Sequence, residues 1–215
     1  MSRRILPFSL GESAVANVSA DIGACLSEVE QIRSALLRAH ESRVGKLCFA
    51  LCQAAGFRLD YCEKLLRAAA LHDVGKVTIP DAILNKPGPL DFEEWNVMRS
   101  HPQLGHAVLR KASDEVIVIA ANVALYHHEC WDGSGYPDGL VGDAIPHEAR
   151  VVSLCDVYDA LRETRPYKPA LRHCEAVDKI VVGDGRVGPA KFDPALLSIF
   201  AANREMFGRI YDGSE

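Results

Sequence analysis

The sequence predicts a single all-α domain, and three observations carry that prediction. Apolar residues recur with helical spacing through most of the chain after Asp21. Helix-start signals punctuate the pattern: the capping-box pairs Asp60/Glu63 and Asp91/Glu94, and the N-cap pair Asp193-Pro194. No convincing strand is found, since Val77-Thr78-Ile79 is too short to matter.

In chain order, Met1 to Ala20 is weakly patterned and broken by Pro7 and Gly11, so residues 1–20 are expected to be a loosely ordered start and 21–215 the domain. From Asp21, the residues Ile22, Leu26, Val29, Ile32, Ala35 and Leu36 share one stripe. Val44, Leu47, Cys48, Leu51 and Ala55 lead to a stop at Gly56, with His40 between these runs or inside one long helix. The next helix opens at Asp60, carries Leu65, Leu66, Ala69 and Ala70, and is expected to pass His72-Asp73 and end at Gly75. Three prolines and Gly88 make residues 78–90 a loop, with one short turn at Pro80. The helix opened by Asp91 reaches His101-Pro102, where the proline bends it or starts another. Asp114 opens a segment that is apolar nearly all round, which predicts a central place in the core, and it ends in His127-His128-Glu129. Residues 130–145, rich in Gly, Asp and Pro, form a long loop of the kind that is usually functional in compact domains. Pro146 starts a helix containing Val151, Val152, Leu154, Cys155, Val157, Tyr158 and Leu161. Two last helices are expected, over Leu171–Val182 and Pro194–Tyr211.

A composition of 48% hydrophobic and 25% charged residues supports a core without external staples. The net charge of −5 argues against general nucleic-acid binding, which needs a basic face, but leaves room for a small anion held by a few local cations. The seven cysteines are odd in number and scattered, no apolar run follows Arg3-Arg4, and no window approaches a membrane span. A reducing, cytoplasmic setting with free thiols is expected. Cys48 and Cys52, one helical turn apart with Cys62 beyond, read as small buried hydrophobes in preference to a zinc site.

The chemistry centres on Leu71-His72-Asp73-Val74-Gly75-Lys76. His40, His72-Asp73, His101 and His127-His128 each fall at or near a helix end or break, and Asp156 falls on the apolar side of its helix. Burying a lone carboxylate is costly unless it is paired or bound to a cation. A metal centre would resolve all these placements together, and imidazole with carboxylate suits iron, manganese, zinc or nickel. Adjacent helical residues point about 100° apart, so His72 and Asp73 cannot aim along one line. Two ions side by side, bridged by Asp73, are a natural solution, and such pairs serve phosphoester hydrolysis. Each piece also has a plainer reading. His101 could be a polar residue at an N-cap, His127-His128 could answer the helix macrodipole, and Asp156 could pair with Arg150. His106, His147 and His173 fit no such pattern. Lys76 could hold a phosphate oxygen or close a helix C-terminus. Arg165, Tyr167 and Lys168 form either a solvated turn or a phosphate clamp. Tyr136 could stack on a base or plug its loop into the core.

His72-Asp73-Val74-Gly75-Lys76, His127-His128-Glu129, Asp132-Gly133-Ser134-Gly135-Tyr136-Pro137 and Asp156-Val157-Tyr158-Asp159-Ala160-Leu161 together resemble the HD-GYP family, a branch of the HD phosphohydrolases. The likeness runs from about His40 to Phe200 and includes Ile79-Pro80-Asp81 and Phe192-Asp193-Pro194. The resemblance implies an HD-domain helical bundle with additional C-terminal helices. It also implies a metal-dependent phosphodiesterase that hydrolyses cyclic di-GMP to pGpG, to GMP or to both, through a metal-activated bridging hydroxide at a binuclear site. The implied metal ligands are His40, His72, Asp73, His101, His127, His128 and Asp156. They would hold two divalent ions, iron first, with manganese, nickel or zinc as alternatives. Asp73 and Lys76 would be catalytic, and Lys76, Tyr136, Arg165 and Lys168 would hold substrate. The Gly135-Tyr136-Pro137 loop is implied to dock diguanylate cyclase (GGDEF) domains, and a homodimer is compatible with the family. Leu36 stands where some members carry a glutamate for a third metal, which predicts two. Cys130 and Lys191 also depart from the family pattern. The first thirty or so residues are too short for the usual receiver or sensor domain, so a stand-alone member or regulation in trans is expected. Two other functions compete. One is an HD phosphohydrolase for another nucleotide, such as cyclic GMP-AMP or a deoxynucleotide. The other is a non-catalytic module that binds the dinucleotide or docks a cyclase. The Gly-Tyr-Pro loop and the Arg165–Lys168 cluster weigh against a mononucleotide, and seven ligands weigh against a pure binding surface.

Overall fold

The computed structural model describes residues 35–164 and 169–213, with side chains from residue 39 onward. Its helices are α1 (Ala35–Ala54), α2 (Leu59–Ala69), α3 (Asp81–Leu84), α4 (Phe92–Met98), α5 (His101–Leu109), α6 (Glu115–Tyr126), α7 (His147–Arg162), α8 (His173–Val181), α9 (Pro194–Ala202) and α10 (Arg204–Asp212). Short 3-10 turns occupy Val74–Thr78, Gly142–Ala144 and Pro189–Lys191. Among the described residues the nearest thing to a sheet is one isolated bridge, Asp132 to Val141, so the fold is all-α as expected. The expected loose start over residues 1–20 and the stripe from Ile22 to Ile32 lie outside the described residues.

Helix α1 packs on α2, α7 and α10, while α6 joins α2, α5 and α7. The larger apolar core gathers Leu47 and Leu51 of α1, Leu65 of α2, Leu154 and Tyr158 of α7, and Phe200 and Phe207. Each such side chain contributes roughly 1.5–3 kcal/mol on burial. A smaller core contains Ala68, Val74, Leu109, Ile117 and Ala124. Helix α6 serves both, Val123 in the first and Ala124 in the second, which is why its sequence is apolar on most sides. Val118 nevertheless stays half-exposed. Cys48, Cys52, Cys62 and Cys155 are free, buried and packed as small hydrophobes.

The caps at Asp91 and Asp114 form as expected. Asp91 Oδ1 accepts from Glu94 N at 2.9 Å while Glu94 Oε2 accepts from Asp91 N at 2.8 Å, and Asp114 Oδ1 accepts from Val116 N at 2.9 Å. Each cap contributes about 1 kcal/mol. Three expectations need correction. Asp60 is not an N-cap: extended Arg58 takes that place, α2 begins at Leu59, and Asp60 sits in the first turn facing Arg58 Nε at 3.0 Å. A carboxylate there still favours the helix dipole. Helix α2 ends at Ala69, well before Gly75, and the chain turns through Asp73 into the 3-10 segment. Gly75 is required by close approach instead, because a Cβ there would lie 1.9 Å from His101 O and 2.7 Å from Gly105 N. The expected last helix is two, split at Asn203, whose Nδ2 donates to Ile199 O at 2.8 Å and diverts the chain.

Candidate metal centre

Five elements deliver the side chains. His40 comes from the second turn of α1, His72 and Asp73 from the turn after α2, and His101 from the first residue of α5. His127 caps the C-terminus of α6 with His128 next to it, and Asp156 comes from the middle of α7. All seven sequence-predicted ligand residues converge, in two groups. Asp73, His101, His127 and His128 each place a ligand atom within 4.8 Å of one another, and so do His40, His72 and Asp156.

Asp73 stands between the groups. Its Oδ1 lies 3.2 Å from His101 Nε2 and 3.7 Å from His127 Nε2, while its Oδ2 lies 3.3 Å from His72 Nε2. His40 Nε2 is 3.3 Å from His72 Nε2 and 3.4 Å from Asp156 Oδ1. On the other side His101 Nε2 is 3.4 Å from His127 Nε2.

The outer nitrogens fix the rings. His72 Nδ1 donates to Ala69 O at 2.8 Å, His101 Nδ1 to Met98 O at 2.8 Å, and His127 Nδ1 to Val123 O at 3.0 Å. His40 Nδ1 donates to Asp159 Oδ2 at 2.7 Å. With Nδ1 carrying the proton, each Nε2 presents its lone pair to the centre, the tautomer a metal requires. Ring nitrogens facing one another at such distances need a proton or a metal cation between them. Asp73 Oδ1 is buried and has no hydrogen-bond partner. These observations fit a divalent metal site, and the imidazole–carboxylate donor set suits iron, manganese, zinc or nickel.

The electrostatics agree. Burial opposes the charge on Asp73, but Lys76 and His72 outweigh it and hold the carboxyl well below its usual range. Burial, with neighbouring imidazoles next, pushes His128 well below the ordinary imidazole value, and burial also lowers His127. Both rings are therefore neutral donors at neutral pH. Burial pulls His72 down too, yet Asp73 and Asp156 outweigh it and raise the ring to about 9 in the metal-free protein.

A third group, His40, Asp159 and Glu163, is also close enough to share an ion. Arg43 already fills that role: Nε reaches Asp159 Oδ1 at 2.7 Å, and Nη2 reaches Asp159 Oδ2 at 2.8 Å and Glu163 Oε1 at 3.0 Å. Burial disfavours charge on Asp159, but hydrogen bonds from His40 and Arg43 hold its pKa below the ordinary value. Its place is to orient His40. The Leu36 side chain lies outside the described residues.

Lys76 Nζ meets Asp73 Oδ2 at 2.5 Å. Tyr136 stacks on His128, centroids 4.7 Å apart and planes at 23°, and its backbone N donates to His128 O at 3.2 Å. Gly135 makes that return possible, since a Cβ would lie 2.3 Å from Cys130 N. Buried Glu129 ties the rest of the loop by accepting from Asp138 N at 2.7 Å, Gly139 N at 3.1 Å and Leu140 N at 3.0 Å. Lys191 Nζ donates to Ser134 Oγ at 3.0 Å, so this departure from the family pattern tethers the loop.

Two of the plainer readings, those for His101 and Asp156, do not describe what is seen, whereas His127 does answer the C-terminal carbonyls of α6. Ser100, not His101, holds the N-cap position of α5. Arg150 pairs with Asp143 at 2.9 Å and Asp193 at 2.8 Å, leaving Asp156 to the histidines. His106, His147 and His173 stay outside the cluster, on Ala121 O, Phe57 and Tyr158 respectively. Arg165, Tyr167 and Lys168 lie outside the described residues. Sequence assigns no role to Arg43, Arg99, Asp159 or Glu129, although the last two stand inside motifs that carry the resemblance. The spacing of Asp159 from Asp156, and of Arg43 from His40, was the available signal, because residues three apart share a helix face.

No helix among the described residues is long and apolar enough to cross a membrane. Residues 25–196 match the HD domain family. The chain is 48% identical over 152 residues to a cyclic di-GMP phosphodiesterase of Vibrio cholerae, covering 68% of this chain and 30% of that protein. It is 46% identical over 143 residues to the cyclic di-GMP phosphodiesterase response regulator RpfG of Xanthomonas campestris, covering 66% and 37%. It is also 36% identical over 182 residues to 3'3'-cGAMP-specific phosphodiesterase 2 of Vibrio cholerae, covering 85% and 34%. The chain thus spans about a third of the length of these relatives. Among solved structures, Bd1817, an HDG"Y"P protein from Bdellovibrio bacteriovorus, shares the fold at a TM-score of 0.61 and 22% identity, over 79% of this chain and 52% of that one. The HD domain of phosphodiesterase PgpH from L. monocytogenes, in complex with cyclic-di-AMP, does so at 0.56 and 16%, over 88% and 96%.

Proposed function

This chain belongs to the HD domain family, in its HD-GYP branch, and on that premise we propose that it is a metal-dependent phosphodiesterase that hydrolyses cyclic di-GMP. The observation that carries this reading is Asp73, whose two carboxylate oxygens face two separate groups of inward-pointing donors. Its substrate is suggested by relatives named for cyclic di-GMP at 46–48% identity.

Two bound divalent ions would acidify a shared water and neutralise charge on the phosphate. His40, His72 and Asp156 would hold one, His101, His127 and His128 the other, and Asp73 both. Lys76, now paired with Asp73, would turn to a non-bridging oxygen of the scissile phosphate. Tyr136, flat against His128, would offer its ring beside the reacting group, and Arg165 and Lys168 would contribute positive charge toward the substrate. One water is consumed for each ester broken. The phosphorus–O3′ bond cleaves, giving a 5′-phosphate and a 3′-hydroxyl, hence pGpG and, after a second cleavage, GMP. This chemistry requires neither a cyclase partner nor a dimer.

A second reading is hydrolysis of cyclic GMP-AMP, favoured by a relative of that specificity aligned over 85% of this chain. A panel of the two dinucleotides with metal-loaded protein separates the readings by kcat/KM. Release of pGpG or GMP from cyclic di-GMP, absent in Asp73→Ala, supports the first. Turnover of cyclic GMP-AMP alone overturns it, and binding of either without product overturns both.

A further inference from the structure

The guanidinium of Arg99 lies over the ring of Tyr136, 4.5 Å from its centroid. Tyr136 in turn stacks on His128, so Arg99, Tyr136 and His128 form a continuous pile leading out of the candidate metal centre. Arg99 is exposed, and among the described residues it makes no ion pair with a carboxylate. Among the described residues six other arginines pair with carboxylates, including Arg43 with Asp159, Arg150 with Asp193 and Arg162 with Asp212. The anchor of Arg99 is firm: its backbone N donates to Trp95 O at 2.9 Å as the last turn of α4 closes, and His101 follows two residues on.

A guanidinium held over an aromatic ring by cation–π attraction can still donate its N–H groups to another partner. Those groups match two phosphate oxygens bidentately. Lys76, the cation nearest Asp73, serves the metal side of the centre, whereas Arg99 stands one aromatic ring further out. A cyclic dinucleotide carries two phosphates, and with one at the metals the other calls for cations beyond the metal centre, where Arg99 stands in addition to any charge from Arg165 and Lys168. We propose that Arg99, held against Tyr136, binds the second, non-reacting phosphate of a cyclic dinucleotide and so selects that substrate over diesters with one phosphate. The proposal rests on the cyclic dinucleotide reading above.

The test compares wild type, Arg99→Ala and Arg99→Lys, all metal-loaded, on cyclic di-GMP and on bis(p-nitrophenyl) phosphate, which has one phosphate. Equilibrium binding of a phosphorothioate cyclic di-GMP and metal content are measured alongside. The expected result is that Arg99→Ala weakens analogue binding and raises KM for the dinucleotide about 10- to 100-fold, the loss of one charge-assisted contact. Its kcat, metal content and turnover of bis(p-nitrophenyl) phosphate stay within about threefold of wild type. Arg99→Lys recovers part of the affinity, since a point charge replaces the fork. Equal losses on both substrates, or lost metal, overturn the proposal and make Arg99 a brace for the Tyr136 loop. Unchanged analogue binding in Arg99→Ala overturns it as well. If wild type cleaves only bis(p-nitrophenyl) phosphate yet binds the analogue, the hydrolytic reading falls and the binding comparison still decides the role of Arg99. If wild type does not bind the analogue, both fall.

Discussion

His40 Nδ1 donates to Asp159 Oδ2 across 2.7 Å, joining α1 to α7 behind the candidate metal centre. The bond fixes the ring so that Nε2 faces His72 and Asp156. Asp159 is itself held by two bonds from Arg43. In Asp159→Asn the carboxamide is neutral, and the preference for a proton on Nδ1 weakens. Metal affinity is expected to fall about 10- to 100-fold, the usual cost of losing a partner behind a ligand. Competition with a chelator of known affinity measures it, and an unchanged constant would deny Asp159 this role.

Gly75→Ala tests the contact between the 3-10 turn and α5. The added Cβ would meet His101 O at 1.9 Å, so backbone must move, and His101 with it. Overpacking of this kind costs about 1–3 kcal/mol. Denaturant unfolding should show that loss together with reduced metal content, whereas wild-type values for both would mean the turn is more pliable than its packing implies.

His72 gives the metal-free protein a pH signature. Burial pulls the ring down, but Asp73 and Asp156 outweigh it and raise it to about 9. A raised imidazole stabilises fully below its unfolded value, near 6.5, and that contribution is lost as pH rises to about 9. Metal-free protein should therefore lose melting temperature over this window. Metal binding needs the neutral ring and should release a proton across the same range. Calorimetric titration in two buffers of different ionisation enthalpy counts that proton, and His72→Gln should remove it. Identical heats in both buffers for wild type would contradict the assignment.

Glu129→Ala would leave the N–H groups of Asp138, Gly139 and Leu140 without their shared acceptor. The cost is about 1.5–3 kcal/mol, the range for a hydrogen bond to a charged group. Amide exchange should rise in residues 136–140, while the helices keep wild-type protection. Uniform loss of protection would place Glu129 in the core's stability instead of the loop's.

The sequence made the ligand residues legible because each polar side chain interrupts an apolar pattern or falls at its end. His127-His128 closes a nearly continuous apolar run, and Asp156 sits among Val152, Cys155 and Val157. Fold class was legible for the same reason, since helical spacing is a local property. What escaped depends on distant contacts. Gly75 resembles a helix stop but is needed because α5 passes over it. Arg43 and Arg99 look like ordinary surface cations until Asp159 and Tyr136 are seen beside them. The break at Asn203 is hidden because the apolar residues of α9 and α10 continue across it.

The most direct measurement is the number and position of metal ions in crystals of anaerobically purified protein, read from anomalous scattering at the absorption edge of the bound element. Two peaks per chain are expected, one among His40, His72 and Asp156, the other among His101, His127 and His128, with Asp73 touching both. A metal-replete crystal with a single peak, or with peaks that leave Asp73 untouched, would contradict the two-ion centre on which the hydrolytic function depends.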